Sequence, residues 1–213
     1  MLLVLVIVIV GAFVGARYYR GTVQEERKPS TPNSSLIRDD SPSIGPADAK
    51  VTLVEFYDPE CETCAVFGPI VKKIMKENEG KIRFVARYMP SHPNSINAAN
   101  FTEAAGEQGK FWEARDLLFQ KQSEWGEKHG EPAAVPPNIT ALFDKYAREL
   151  GLDSDKVASA IKENRFAAKI ERDKKDGQGL GVRKTPQFFV NGRPLARFGE
   201  AELRQLIDDE MKK

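Results

Sequence analysis

Apolar side chains fall along this chain in two rhythms, and the changes between them mark its elements. Val51-Thr52-Leu53-Val54-Glu55-Phe56-Tyr57 is a nearly unbroken apolar run that Asp58 and Pro59 stop, the pattern of a buried strand. Val66, Phe67, Ile70, Val71, Ile74 and Met75 then recur at helical spacing, with Pro69 set to kink that helix. Lys81 to Met89 alternates polar and apolar residues until Pro90, so a helix joins two strands and a parallel βαβ unit is expected. From Asn94 to about Gly177 the rhythm is helical. Phe111, Ala114, Leu117, Leu118 and Gln122 share a face that Trp112 and Phe119 widen. A Gly/Pro-rich loop is expected over 123–138. Ile139, Leu142, Phe143, Tyr146, Ala147 and Leu150 make a second face that Gly151 closes, and Asp153-Ser154-Asp155 can cap a third helix through Val157, Ala160 and Ile161. These aromatic stripes read as core. Gln187-Phe188-Phe189-Val190, then Asn191-Gly192, then Arg193-Pro194-Leu195 carry a strong hairpin signal. Ala201, Leu203, Leu206, Ile207 and Met211 form a closing helix.

The order is therefore βαβ, a helical block, then ββα. That is the α/β architecture of a thioredoxin fold with an inserted helical domain, here at about 94–177. Upstream, Met1 to Ala16 carries no charged side chain, and Arg17-Tyr18-Tyr19-Arg20 has the look of an interfacial flank. Residues 1–20 are expected to form an N-terminal apolar helix that anchors the chain in a membrane, although sixteen residues fall short of the roughly 20 that a bilayer core needs. A cleavable signal segment ending at Val14-Gly15-Ala16 is the alternative. Residues 21–44, with Pro29, Pro32, Pro42 and many serines, read as a flexible linker, and 45–213 as the folded domain.

Composition narrows the partners. With 41% hydrophobic and 30% charged residues and a net charge of +1 over 213 residues, the body has no electrostatic bias towards nucleic acid. The two cysteines, Cys61 and Cys64, stand three apart where the first strand hands over to the helix. A helix N-terminus offers unpaired N–H groups and positive potential, both of which favour a thiolate. Structural zinc needs four ligands as a rule; there is no second Cys pair, and His92 and His129 show no ligand spacing. A structural disulfide across so short a loop would stabilise little. A redox dithiol is the reading that remains, with no cofactor and no metal. A Cu(I)-binding or holdase module using the same Cys pair is the alternative from another class, which the acidic flank suits and the lack of a Met or His cluster does not.

The stretch from Gly45 to Phe56 with Asp58 and the Cys pair resembles the DsbA-like branch of the thioredoxin superfamily. So do Glu107-Gln108-Gly109-Lys110-Phe111-Trp112, the helix end from Tyr146 to Asp153, and Gly181 to Gly192 with its Thr185-Pro186-Gln187. The resemblance spans roughly 43–213. It implies that Pro186 is cis and lies beside the Cys pair, and that the Thr185 backbone pairs with substrate. It implies that Cys61 exchanges with protein thiols and disulfides through a mixed disulfide, that Cys64 resolves it, and that Glu55 is a buried carboxylate moving the Cys64 proton. A redox partner protein and an address outside the cytoplasm follow, since disulfides persist there. Arg17 and Arg20 lie after the apolar run with no basic residue before it, which by the positive-inside rule alone would hold the body in the cytoplasm. One departure stands out: strongly oxidising members carry Pro-His between the cysteines, and this chain has Glu62-Thr63. Glu60 and Glu62, if exposed beside Cys61, are expected to oppose its ionisation and so tune the dithiol towards a weaker oxidant.

Overall fold

The protein is described by a computed structural model covering residues 33–127 and 138–213. The expected membrane segment, residues 21–32 of the expected linker and residues 128–137 of the expected loop lie outside the described residues. Among the described residues no helix is long and apolar enough to cross a membrane.

A five-stranded sheet in the order β1-β3-β2-β4-β5 forms the centre. Its strands are β1 (Ser43–Ile44), β2 (Val51–Tyr57), β3 (Ile82–Tyr88), β4 (Gln187–Val190) and β5 (Arg193–Pro194). β2 and β3 are parallel, in register from Val51 opposite Ile82 to Tyr57 opposite Tyr88, and the other pairs are antiparallel. β2 is central and covered on both faces, which is why its sequence is an apolar run rather than an alternation. On one face Val51 and Leu53 pack with Phe67, Val71 and Ile74 of α2 (Glu62–Glu77) and with Leu203 and Ile207 of α9 (Glu200–Met211). Pro69 sits within α2, which runs unbroken past it to Glu77.

The β4–β5 turn needs positive φ at both central positions, and Asn191 (46°) and Gly192 (81°) supply it. The Asn191 side-chain oxygen also accepts from the Thr52 N–H at 2.8 Å, tying the hairpin to β2.

Between β3 and β4 runs a helical block: α3 (Ser95–Gly106), α4 (Phe111–Gln120), α5 (Gln122–Trp125), α6 (Ile139–Glu149), α7 (Ser154–Lys162) and α8 (Ala167–Gly179). It has its own core, in which Phe101, Leu118, Trp125, Phe143 and Tyr146 meet. Asn138 and Asp153 cap α6 and α7 by accepting from the Ala141 and Lys156 N–H groups. α8 returns across the second face of the sheet so closely that a Cβ at Gly177 would stand 2.9 Å from the Phe56 ring.

The folded body begins before residue 45, which corrects the linker expectation. α1 (Asn33–Leu36) sets Leu36 among Val54, Phe56, Val85, Val182 and Phe189 at 1% exposure, and β1 extends the sheet beyond β3. Arg38 makes two bonds to the Asp176 carboxylate at 2.9 and 2.7 Å, and buried Arg87 donates to the Ser35 and Leu36 carbonyls. The Pro- and Ser-rich composition conceals this docking because one buried leucine and a few charged contacts carry it.

Candidate active site

β2 ends at Tyr57, and a turn closed by the Cys61 N–H on the Asp58 carbonyl (3.1 Å) leads into α2. Cys61 is the N-cap of that helix, with extended backbone, and Cys64 lies in the first turn. Both are free thiols, Cys61 8% exposed and Cys64 fully buried. The Cys61 sulfur lies 3.5 Å from the Thr185 carbonyl oxygen, and the Thr185–Pro186 peptide bond is cis. Segments 124 residues apart in sequence thus meet at one sulfur.

The two thiols differ in acidity. A hydrogen bond from Cys64 stabilises the Cys61 thiolate, and against the opposing effect of burial the Thr185 side chain and the backbone N–H groups of Cys64 and Thr63 add to it. Together they bring the Cys61 pKa down to about 5. Burial pushes Cys64 well above its ordinary value, and its role as donor to Cys61 and the nearby Glu55 charge push the same way. One sulfur is a thiolate at neutral pH and its partner holds its proton.

Glu55 lies at full burial on the same face of β2 as Tyr57. Burial raises its pKa, opposed by Arg115 of α4, with which it forms an ion pair. The guanidinium of Arg115 stacks between aromatic rings, 4.7 Å from the centroids of both Tyr57 and Phe119. Glu55 Oε1 has no hydrogen-bond partner among the described residues, so one oxygen of a carboxyl near Cys64 remains available to a proton. Sequence reasoning missed Arg115. Its signal is position: it stands four residues after Phe111 and four before Phe119, inside the apolar face of α4 rather than opposite it.

The acidic flank differs from expectation. Glu60 does not project beside Cys61; it is 3% exposed and accepts from the Asn94 N–H (2.6 Å), the Asn94 side chain (2.8 Å) and the Glu127 N–H (2.8 Å). A buried carboxylate needs donors to offset its lost hydration, and three are within reach here. Glu62 is exposed in the first turn of α2, as expected. Asp58, fully buried, accepts from the Glu60 N–H (2.9 Å), the Ser91 N–H (2.7 Å) and hydroxyl (2.9 Å), the His92 N–H (3.3 Å) and the Ser95 hydroxyl. Its Oδ2 also lies 2.7 Å from Nδ1 of His92. His92 therefore belongs to the site, although its spacing gave no hint of it. Among the described residues no group of three or more His, Cys, Asp or Glu side chains is placed to hold a metal ion.

Comparison with known proteins agrees with this geometry. The family model described as thioredoxin matches residues 38–209. BdbD from Bacillus subtilis, solved in its oxidised form, superposes with a TM-score of 0.71 at 26% identity over 81% of this chain and 94% of its own. A thioredoxin-like oxidoreductase from Silicibacter pomeroyi gives 0.70 at 25% identity over 86% and 99%. Among curated relatives, a Na(+)/H(+) antiporter NhaA of Herminiimonas arsenicoxydans is 34% identical over 151 residues, 71% of this chain but only 22% of that much longer protein. The chain spans about a fifth of the antiporters it matches. The chain belongs to the thioredoxin family and has the fold of its DsbA-like members.

Proposed function

We propose that this protein exchanges disulfides with protein substrates outside the cytoplasm, with Cys61 as the nucleophile, Cys64 as the resolving thiol and Glu55 as the proton acceptor. The observation that carries the roles is the split in acidity between two sulfurs held one helical turn apart. A substrate thiolate attacks the Cys61–Cys64 bond at Cys61, giving a mixed disulfide and releasing Cys64, which takes up a proton. A second substrate thiolate then attacks its own sulfur in that mixed disulfide, closing the substrate disulfide and expelling Cys61 as a stable thiolate. In the reverse sense Cys61 opens a substrate disulfide, and Cys64 must lose its proton to resolve the intermediate. Glu55, buried nearby with one oxygen unpaired, is suited to receive it.

A low Cys61 pKa stabilises the reduced state, so oxidation of substrates is the favoured direction. The address rests on the apolar N-terminal run and on the persistence of disulfides outside the cytoplasm. The matching segment carried by long antiporter chains also supports a place at a membrane. Trapping tests the roles. Cys64→Ser is expected to accumulate mixed disulfides through Cys61, and Cys61→Ser to form none. Equal alkylation rates at the two thiols of the reduced protein would refute the assignment.

A further inference from the structure

We propose that His92 supplies a counter-charge that tunes the acidity and reduction potential of Cys61, acting as a positioning residue across Asp58. Two carboxylates are buried behind the nucleophile. Asp58 and Glu60 lie three residues and one residue before Cys61 in the turn, and both are almost wholly enclosed. A further negative charge at Cys61 is opposed by Asp58, and more weakly by Glu60, whose oxygens are turned onto Asn94 and Glu127, unless a cation stands beside them. Arg115 is engaged with Glu55 under the aromatic rings of Tyr57 and Phe119.

His92 is placed for this. Its Nδ1 lies 2.7 Å from Asp58 Oδ2, and its own N–H and the Ser91 hydroxyl bond the same oxygen. Among the described residues, the titratable groups that act on the ring come from the turn after β2: Asp58, Cys61 and Glu60, all acids. From its own loop and α3 come the neutral hydroxyls of Ser91 and Ser95. Burial alone would lower the affinity of the ring for a proton; the hydrogen bond and charge of Asp58, then the charges of Cys61 and Glu60, outweigh it and raise the pKa above 6.5.

The redox consequence follows from charge balance. When a substrate dithiol becomes a disulfide it gives up two electrons and two protons. The Cys61–Cys64 bond breaks, one proton stays on Cys64, the other goes to solvent, and Cys61 is left as a thiolate. Reduction thus adds one negative charge beside His92. An imidazolium favours that step and a neutral imidazole does not. The dithiol is therefore a stronger oxidant while His92 is protonated and a weaker one above its titration. Below about pH 5 Cys61 itself binds a proton in the reduced form, and the influence of His92 disappears.

Thiolate ultraviolet absorbance against pH and equilibration with glutathione test this on His92→Gln. The Cys61 pKa is expected to rise by about half a unit. The glutathione equilibrium should shift about threefold towards the oxidised protein, or about 15 mV. The difference from the unsubstituted protein should close at pH values above the His92 titration. A second measurement needs no substitution: linkage is reciprocal, so the His92 imidazole, followed by NMR, must titrate about half a unit higher in the reduced protein than in the oxidised one. The same imidazole pKa in both redox forms overturns the proposal. So does a His92→Gln protein that is less stable yet keeps its potential at every pH, which would make the ring a tie between loops and nothing more.

Discussion

Glu55 and Arg115 are individually expensive to bury, and each is tolerable only beside the other. Arg115→Met would leave a carboxyl in the core with no counter-ion, a loss of about 3–5 kcal/mol, whereas Glu55→Leu combined with Arg115→Met should cost clearly less than the two single losses added together. Urea denaturation of the oxidised protein measures this, and simple additivity would mean that the pair does not couple. The cysteines give a pH test at the same scale. The Cys61 thiol is held at about 5 in the folded reduced protein against 9.0 ordinarily, a depressed pKa. Its contribution is therefore fully present above pH 9 and lost as pH falls through about 5. The oxidised protein has no such group. The stability of the reduced form relative to the oxidised form should accordingly rise from about pH 5 to about pH 9. Parallel unfolding curves across that range check the sign, and a flat difference would contradict the assigned acidity.

At the scale of elements, the N-terminal stretch that composition marks as a linker is where sequence and structure part. Leu36→Ala removes a side chain enclosed by residues of β2, β3 and β4 and by Val182, and a loss of about 2–4 kcal/mol is expected by urea denaturation, where a true linker would show almost none. Much of the rest was legible. A continuous apolar run gave the central strand, Asn191-Gly192 gave the hairpin, and the turn holding Cys61 and Cys64 could be read because its strand end and helix start are adjacent in sequence. What escaped were contacts between distant segments: Leu36 against β2, β3 and β4, Arg115 against Glu55, and Glu60 turned inward onto Asn94 and Glu127. His92 was within reach of argument. β2 and β3 are parallel and end together at Tyr57 and Tyr88, so the residues after each strand must emerge side by side, Asp58 next to the loop of Ser91 and His92.

For the whole molecule, α8 lies tight against the sheet at one point. At Gly177 an added methyl would collide with the Phe56 ring at 2.9 Å and crowd the Met89 sulfur at 3.2 Å, while at Gly179 nothing lies within 4 Å. Gly177→Ala should lose about 1–3 kcal/mol, and Gly179→Ala should gain about 0.4–1 kcal/mol, a contrast readable from thermal midpoints. The same layering places the reactive sulfurs at a seam, with Tyr57, Cys61 and Cys64 from the sheet side and Ala99, Phe111 and Ile170 from the helical block. The block therefore bears on anyone who would miniaturise this enzyme. It is an insertion by chain order, but the cation that neutralises the acid on the central strand is borne on α4. A pruned chain that joins β3 directly to β4 would inherit Glu55 without Arg115 and Glu60 without its three donors, so a designer who deletes the block must redesign the strand and the catalytic turn in the same stroke.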